Sequence, residues 1–324
     1  MISRLAMLTL ALALCAGGRA HAQTDWILPS AYPANNFHVE NLTLFAKDVT
    51  AATGGKLKVA VHPNASLFTA PEIKRVVQIG QSQLGEVLLS LDENDDAIFG
   101  LDVIPFLATS FEQSRKLWTA SRPAIEKRFA AQRLKVLFAV PWPPQGIYAK
   151  RPIDTIKDMK GLFWRAYNAG TTRIAEIVGA HPVTVQAADL QRALSTGLIN
   201  AFMTSSATGY DSKAWQTMSY FYDAQAWIPK NITFVNAAAF DQLDQPAQDA
   251  LLKAAAAAEE RGWQVSQEKT RWYLDQLAKN GMRVVAPGEA LTAGLKQVGE
   301  QLTAEWLRKA GDEGWAVIES YKKM

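Results

Sequence analysis

Arg165 is the residue of this sequence whose position most needs a chemical explanation. It follows the apolar run 162–164, which is typical of a strand that enters a hydrophobic core. Since arginine keeps its positive charge, a guanidinium buried there needs an anionic partner. A planar fork of N–H donors suits a carboxylate, which accepts two parallel hydrogen bonds from it. That carboxylate belongs either to the chain, as Asp158 or Glu176, or to a bound ligand. On the residues alone we favour the internal ion pair, because most arginines pair within the chain or face water.

Residues suited to catalysis or metal binding are sparse. Beyond the first 22 positions the only histidines are His38, His62 and His181, which lack the spacing of metal ligands, and no cysteine accompanies them. The acidic run 92–96 lacks the glycine and the final glutamate of a calcium loop. The sequence has no G-x-S-x-G elbow and no glycine-rich phosphate loop. We therefore predict no metal, no cofactor and no enzymatic activity.

The first 22 residues are typical of a secretory signal peptide. They combine a basic start, an apolar run over 5–16 and the small-residue exit Ala20-His21-Ala22. The apolar run is shorter than the ~20 residues that span a membrane. We expect cleavage after Ala22 and an exported, periplasmic chain. Cys15 could belong to a lipoprotein signal, but a leucine precedes it where a small residue is expected.

Charge and cysteine content limit the partners of the exported chain. The full sequence has 34 basic and 31 acidic residues, and removal of residues 1–22 also removes its one cysteine. A nearly neutral chain without a thiol forms no disulfide and presents no basic surface for nucleic acid. We expect a monomer whose stability comes from ordinary hydrophobic cores.

The elements that must position Arg165 form two α/β units. Strand and helix patterns alternate over 24–91 and again over 134–205, which is the order of layered α/β domains with mainly parallel sheets. Two such units suggest two lobes with a cleft between them. Only Gly262 interrupts a helical pattern from Pro246 to Gly281, which predicts a helix about 50 Å long. Such a helix is long enough to lie along both lobes, and a kink at Gly262 is the alternative.

Four phrases in order carry a resemblance to a known family. They are "TAATGGKLKVAVHPNASLFTAPEIKRVVQIGQSQLGEV", "GLDVIPFLATSFEQSRKLW", "IDTIKDMKGLFWRA" and "ADLQRALSTGLINAF". They resemble the C4-dicarboxylate-type substrate-binding proteins of TRAP (tripartite ATP-independent periplasmic) transporters, over essentially the whole exported chain. The resemblance implies a two-lobed periplasmic binding protein fold, with strands that cross between the lobes and a long helix that spans both. It also implies a protein that closes over an organic acid and delivers it to the membrane subunits of a TRAP permease.

The resemblance also suggests the extent of each lobe and leaves two other functions open. Lobe I would comprise residues 23–144 and 231–273, and lobe II residues 145–230 and 274–324. The same closure could instead report the ligand to a signalling receptor, and an exported enzyme with an unnoticed acid–base pair is a further alternative.

Arg165 lies where the family's arginine pairs with the ligand carboxylate, in the phrase "KGLFWR". The resemblance therefore favours the ligand as its partner. Gln145 stands near the place of a second arginine that some members have. Thr204 or Ser205 stands where an asparagine would contact the ligand. These departures favour a ligand with one strong carboxylate, such as an aromatic or an α-keto or α-hydroxy acid.

The other candidate ligand contacts are aromatic or polar residues near the expected cleft. Trp142 and Tyr148 flank Gln145 on a proline-rich segment, where we expect less packing by strands. Core packing is the alternative for every aromatic candidate, and we assign Trp164 to the core. Helix capping is an equal alternative for Glu72. The complete set of these further candidates is Phe37, His38, Glu72, Trp142, Tyr148, Tyr167, Asn168 and Trp227.

Overall fold

The computed structural model describes residues 23–324, so the predicted signal peptide lies outside the described residues. In chain order the strands are β1 (Thr24–Pro29), β2 (Leu57–His62), β3 (Leu84–Leu88), β4 (Leu134–Pro141), β5 (Gln145–Ala149), β6 (Phe163–Ala166), β7 (His181–Thr184), β8 (Ala201–Ser205), β9 (Tyr220–Tyr222), β10 (Lys230–Asn236) and β11 (Arg283–Val285). The α-helices are α1 (Phe37–Ala52), α2 (Ala70–Gln78), α3 (Phe111–Ala131), α4 (Ala169–Ile177), α5 (Leu190–Ser195), α6 (Ser206–Asp211), α7 (Ala237–Asp241), α8 (Gln245–Lys279) and α9 (Glu289–Lys322).

Lobe I contains the first four strands of the chain and β10, which returns to it from lobe II. β1 pairs in parallel with β2, while β10 lies between β3 and β4 and runs antiparallel to both. Helices α1 and α8 cover one hydrophobic core, and α2 and α3 cover a second one. The alternation of strands and helices predicted over 24–91 is therefore present, and β3 is its last strand.

Lobe II is built on one six-stranded sheet in the order β11-β9-β5-β8-β6-β7. β6 is parallel to both of its neighbours, whereas β5 is antiparallel to β8 and β9. The prediction of mainly parallel sheets is therefore wrong. Lobe II has a mixed sheet, and lobe I has a parallel pair of strands beside an antiparallel three-stranded sheet. The reason is that β5 enters lobe II from lobe I and β10 enters lobe I from lobe II. Each of these two strands is antiparallel to both of its neighbours.

Two extended segments cross between the lobes and are hydrogen-bonded to each other. One joins β4 to β5 and the other joins β9 to β10. The Trp142 amide donates to the Pro229 carbonyl oxygen, and the amide of Gln145 donates to that of Trp227, both over 2.9 Å. This pairing confirms the predicted crossing strands, and it holds Trp142 and Gln145 at the junction of the lobes.

Helix α8 runs along both lobes without a break. Asp244 caps its start, and the helix extends over 35 residues, about 50 Å at the rise of an α-helix. It packs on α1 and β4 of lobe I and on α6 and β11 of lobe II. The predicted spanning helix is therefore confirmed, with Gly262 inside it, where close packing on Val140 leaves no room for a side chain.

The C-terminal helix α9 also packs against both lobes. Its first half contributes Leu291 and Leu295 to the core of lobe II, and its last turns place Val317 and Ile318 in a core of lobe I. Gly311 breaks the helical dihedrals between the two parts.

The residue bounds that the sequence suggested for the two lobes stay a prediction. Within residues 23–324, no helix has both the length and the apolar character needed to cross a membrane.

Candidate functional site

A cavity lies between the lobes, beside the crossing segments. Its water-accessible volume is about 40 Å³, a few times the 10–15 Å³ that one water molecule occupies by this measure. Lobe I and the crossing segments provide mostly apolar walls, whereas lobe II provides most of the polar groups. The lining residues are Ala31, Tyr32, Ala70, Leu88, Leu91, Trp142, Gln145, Arg165, Tyr167, Gln186, Ala187, Thr204, Ser205, Thr208 and Pro229.

Arg165 is the charged group of this cavity. Its side chain is buried, with 3 % of its surface exposed, and its Nε donates to the Val185 carbonyl oxygen over 2.9 Å. The guanidinium lies over the Tyr167 ring, 4.8 Å from the centroid. Burial lowers the pKa of Arg165 to about 10, so the group stays charged at neutral pH.

No carboxylate within residues 23–324 forms an ion pair with Arg165, and its buried Nη1 has no hydrogen-bond partner there. Asp158 accepts hydrogen bonds from Thr155, and Glu176 pairs with Arg173 on the surface at 2.9 Å. Both internal partners that the sequence suggested are thus engaged elsewhere. A buried charge without a partner is costly, so the geometry leaves an anion from outside the chain as its natural complement.

Gln145 and Tyr167 lie next to Arg165 in the lining. The Gln145 Nε2 donates to the Pro143 carbonyl oxygen over 2.9 Å, and the Tyr167 hydroxyl approaches Gln145 Oε1 at 3.4 Å. Burial is the main reason that the pKa of Tyr167 is raised, which keeps its hydroxyl neutral. These two residues therefore present neutral polar atoms beside the single positive charge.

Trp142 forms the aromatic wall on the lobe I side, together with Tyr32. Their rings lie 4.9 Å apart between centroids. The Trp142 Nε1 donates to Asn231 Oδ1 over 2.8 Å, and the Tyr32 hydroxyl lies 3.3 Å from the same oxygen. Behind this wall, Asn231 Nδ2 donates to the buried carboxyl group of Glu86.

Thr204 and Ser205 complete the lining where β8 ends and α6 begins. The Ser205 hydroxyl accepts a hydrogen bond from the Thr208 amide over 3.1 Å, and it also contacts the Thr208 hydroxyl. Ser205 is thus the N-cap of α6, which occupies part of its hydrogen-bonding capacity. Six candidates from the sequence meet at the cavity: Trp142, Gln145, Arg165, Tyr167, Thr204 and Ser205.

Three predicted aromatic contacts lie in hydrophobic cores. Tyr148 stacks on Phe202 at 4.6 Å, and its hydroxyl donates to the Ser205 carbonyl oxygen over 3.1 Å. The segment after Pro144 is strand β5, contrary to the expectation of less strand packing, and its alternation turns Tyr148 away from the cavity. Trp227 and Phe37 are also fully buried, in lobe II and lobe I respectively. Trp164 lies in the core as predicted.

The remaining polar candidates also lie outside the cavity lining. His38 packs behind Trp142 at 4.2 Å, and burial lowers its pKa well below the usual value, so it is neutral. Glu72 forms a capping box with Thr69 at the start of α2, which is the alternative given for it above. Asn168 caps α4 and donates to the Ser90 hydroxyl over 2.8 Å.

Hydrogen bonds between the lobes, such as that of Asn168 with Ser90, lie on two sides of the cavity. On one side, the Glu93 carboxylate of lobe I accepts a hydrogen bond from the Gly170 amide at the start of α4. On the other side, Asn36 of lobe I donates to the Asp211 carboxylate over 2.6 Å. The described conformation is therefore a closed one, with polar bonds that opening would break.

Nine residues of the cavity lining were not predicted from the sequence. They are Ala31, Tyr32, Ala70, Leu88, Leu91, Gln186, Ala187, Thr208 and Pro229. Most come from loops that follow strands, at edges that face the other lobe. Of these residues, Tyr32 could have been predicted from the sequence, because it is an aromatic residue three positions after the end of β1, in "PSAYP".

Two α/β lobes, paired crossing segments and an interlobe cavity with one buried arginine define a periplasmic-type binding protein. The model of the family "Bacterial extracellular solute-binding protein, family 7" (DctP) matches residues 30–309. The chain belongs to this family, the solute-binding proteins of TRAP transporters, which are periplasmic.

Three solved structures are similar over nearly the whole chain. DctP6 of Bordetella pertussis, described as an extracytoplasmic solute receptor binding pyroglutamic acid, is 54% identical, with 93% of this chain and 100% of that chain covered and a TM-score of 0.92. DctP7 of the same organism, with the same description, is 43% identical, with 92% and 99% covered and a TM-score of 0.91. A marine metagenome TRAP protein described as specific for pyroglutamate is 40% identical, with 94% and 100% covered and a TM-score of 0.92.

Proposed function

We propose that this protein binds a small monocarboxylate, with pyroglutamate as the first candidate, through an ion pair between the ligand carboxylate and Arg165. The observation that carries this proposal is the buried guanidinium of Arg165, whose Nη1 has no partner among residues 23–324. A carboxylate in the cavity would accept hydrogen bonds from this group and neutralise its charge.

The cavity supports a compact ligand with a single charge. Arg165 is the only cationic side chain in the lining, and no acidic side chain lines the cavity within the described part of the chain. Leu88, Leu91 and Trp142 offer apolar surface opposite this charge. A second carboxylate would therefore have no counter-charge, which favours a monocarboxylate over a dicarboxylate.

The similar structures point to the same ligand. The three solved structures named above, which are 40% to 54% identical to this chain, are each described as binding pyroglutamate or as specific for it. Pyroglutamate is a five-membered lactam with one carboxylate, which matches one cation beside apolar walls. The aromatic and keto or hydroxy acids suggested by the sequence remain the second group to screen.

The protein would deliver this ligand to the membrane subunits of a TRAP permease. The closed conformation places the ligand between lobes that are joined by bonds such as that of Asn36 with Asp211. Ligand contacts to both lobes would shift the equilibrium from open to closed, and the closed surface would be the form that the permease accepts. We propose that the chain is exported with cleavage after Ala22, acts as a monomer and releases its ligand chemically unchanged.

Isothermal titration calorimetry on ligand-free protein tests the binding site. The protein is unfolded, dialysed and refolded to remove any co-purified acid, and is then titrated with pyroglutamate and with other monocarboxylates. Arg165→Ala should reduce the affinity at least about 100-fold, because a charge-assisted hydrogen-bonded pair is lost. Arg173→Ala removes a surface arginine that pairs with Glu305 and should leave the affinity unchanged. Equal affinities of Arg165→Ala and the native protein would refute the proposal.

A further inference from the structure

The side-chain amide of Asn231 has one possible orientation. Trp142 Nε1 lies 2.8 Å from Oδ1 of this amide. An indole N–H is a donor only, so the atom that faces it must be the amide oxygen and not the amide nitrogen. The amide of Asn231 is buried, with 2 % of the residue exposed, and no water can replace this contact at low cost.

Glu86 holds the other end of the same amide. Asn231 Nδ2 donates to Glu86 Oε1, and the Ser30 hydroxyl donates to Glu86 Oε2 over 2.8 Å. Among the described residues no lysine or arginine pairs with Glu86, and His38, whose Nδ1 lies 3.7 Å from Glu86 Oε1, is neutral because burial lowers its pKa. The carboxyl group therefore acts on the site by accepting hydrogen bonds, and it keeps the amide nitrogen away from the aromatic wall.

The orientation of Asn231 decides the direction of the Tyr32 hydroxyl. This hydroxyl lies 3.3 Å from Asn231 Oδ1, an atom that can only accept, so the Tyr32 O–H must donate to it. Its proton is then directed towards Asn231, and the Tyr32 oxygen is left as an acceptor beside the cavity that Tyr32 lines.

The side chain of Gln145 is also oriented so that its oxygen remains available as a hydrogen-bond acceptor. Its Nε2 donates to the Pro143 carbonyl oxygen over 2.9 Å, so its amide protons do not serve a ligand. Its Oε1 lies on the side of Tyr167, whose hydroxyl donates to it at 3.4 Å, and a second lone pair of this oxygen remains. Arg165 thus supplies donors, while Tyr32 and Gln145 supply oxygens that accept.

We propose that Glu86 and Asn231 set Tyr32 as a hydrogen-bond acceptor, so that the site selects carboxylates that carry an N–H or O–H donor next to the carboxylate. This inference rests on the proposed function, in which Arg165 binds the carboxylate. It adds a second recognition element, the Tyr32 oxygen that accepts a hydrogen bond from the ligand. Glu86 and Asn231 are positioning residues, because they act through Tyr32 and Trp142. A lactam with a ring N–H satisfies both elements, whereas a carboxylate of the same shape without the N–H leaves the Tyr32 oxygen without a partner.

The test compares two ligands of nearly the same shape by calorimetry. Pyroglutamate has a ring N–H, and 3-oxocyclopentane-1-carboxylate has a methylene in its place. The native protein should bind the carbocycle about tenfold more weakly, because one buried hydrogen bond is lost. In Tyr32→Phe the ratio of the two dissociation constants should fall to about 2 or less, mainly through weaker lactam binding.

Tyr222→Phe is the matched control for Tyr32→Phe. It removes the hydroxyl of another buried tyrosine, which accepts from the Ile153 amide over 2.8 Å in lobe II. It should keep the tenfold ratio of the native protein, and thermal unfolding of each variant shows that it is folded. Equal binding of both ligands by the native protein would overturn the inference but leave the carboxylate site intact. A tenfold ratio that persists in Tyr32→Phe would also overturn it. Failure of both acids to bind at all would instead refute pyroglutamate as the ligand of the proposed function, on which this inference rests.

Discussion

Arg165 donates a hydrogen bond of 2.9 Å from Nε to the carbonyl oxygen of Val185, the residue that follows the neighbouring strand β7. Because β6 and β7 are parallel neighbours, this bond ties the guanidinium to the rigid part of lobe II. It uses the one N–H that a bidentate carboxylate contact at the two Nη groups does not need. The arginine is therefore held in place before a ligand arrives.

Arg165→Lys separates charge from geometry at this position. Lysine keeps a positive charge but lacks the planar fork and the Nε donor to Val185. We expect the affinity for the proposed monocarboxylate to fall about 10- to 100-fold, by calorimetry, and less than in Arg165→Ala. An affinity equal to that of the native protein would mean that charge alone suffices and that the fork geometry has no role.

Tyr148→Phe should affect stability and not binding. The change removes the hydrogen bond from the Tyr148 hydroxyl to the Ser205 carbonyl oxygen, while the ring stays stacked on Phe202. We expect the free energy of unfolding to fall by about 1 kcal/mol in a denaturant titration. The ligand affinity should stay within twofold of the native value, and a larger loss of affinity would place Tyr148 in the site after all.

The contribution of Glu86 to the stability of the protein should decrease as the pH rises from 5 to 8, whereas that of His38, whose pKa is lowered by burial, changes in the opposite direction. Burial, the largest effect, raises the pKa of Glu86 to about 7 from its ordinary value of 4.5. The folded state then holds a proton that the unfolded chain has released. Its contribution is complete below pH 4.5 and is lost as the pH rises through about 7.

Thermal unfolding at several pH values checks this dependence. Glu86→Gln should make the change in melting temperature between pH 5 and pH 8 less negative. Asp211, whose pKa burial raises to about 6, contributes a smaller decrease in the same direction and remains in the variant. An unchanged slope in Glu86→Gln would show that Glu86 does not titrate in this range.

Ligand affinity should also fall with rising pH, through Glu93. Burial raises the pKa of Glu93 to about 7 in the closed conformation, against weaker lowering effects from the Gly170 amide and from Lys309 and a further raising effect from Asp102. Opening the lobes would return this carboxyl group to water and to its ordinary pKa of 4.5. The closed form therefore gains a proton at acidic pH, and ligand binding requires the closed form.

We expect the affinity at pH 5.5 to exceed that at pH 8 by roughly tenfold. Neither the ligand carboxylate nor Arg165, with a pKa of about 10, changes its charge across this range. Glu93→Gln keeps a hydrogen-bond acceptor for Gly170 but cannot titrate, so the pH dependence of its affinity should be clearly smaller. The remainder comes from Asp211, the interlobe carboxyl group whose pKa burial raises to about 6. A pH profile identical to that of the native protein would show that Glu93 is not the titrating group.

Gly262→Ala should destabilise the protein although alanine is the better helix former. The helix propensity favours alanine by about 1 kcal/mol. An added Cβ would lie 2.4 Å from Val140 Cγ2 and 2.9 Å from Asn41 Nδ2. Such overpacking costs about 1–3 kcal/mol, so we expect a net loss of up to about 2 kcal/mol in denaturant unfolding.

Lys253→Ala is the control for this substitution, at an exposed position of the same helix. It should change the free energy of unfolding by less than about 0.5 kcal/mol. A stabilisation in Gly262→Ala would mean that α8 can move away from β4 at little cost.

Local sequence patterns were sufficient for the elements whose formation depends on nearby residues. The uninterrupted pattern after Pro246 predicted α8, because backbone propensity and capping act within a few residues. The cap of α1 is a local contact of this kind, in which the Asn36 side chain accepts from the His38 amide over 2.9 Å. The strand patterns predicted over 24–91 include β1 and β2, and the run before Arg165 predicted a buried strand, which is β6.

Strand pairing and the fate of each aromatic ring depended on contacts far apart in the chain. β10 pairs with β3 and β4, which precede it by about a hundred residues or more, and nothing local in its sequence sets this antiparallel order. Tyr148 and Trp142 are similar residues on one short segment, yet one lies in a core and the other lines the cavity.

The sequence by itself determined the helices, the two α/β units and the presence of one arginine in an apolar strand. Only the tertiary structure decided that this arginine has no partner among residues 23–324, and that Tyr32, which is hydrogen-bonded to Asn231, lines the same cavity from the other lobe. The physical reason is that a hydrogen-bond partner is defined by distance and direction in space. Tyr32 and Asn231, 199 positions apart, meet only when the chain has returned from lobe II and β10 has paired with β3 and β4 in lobe I.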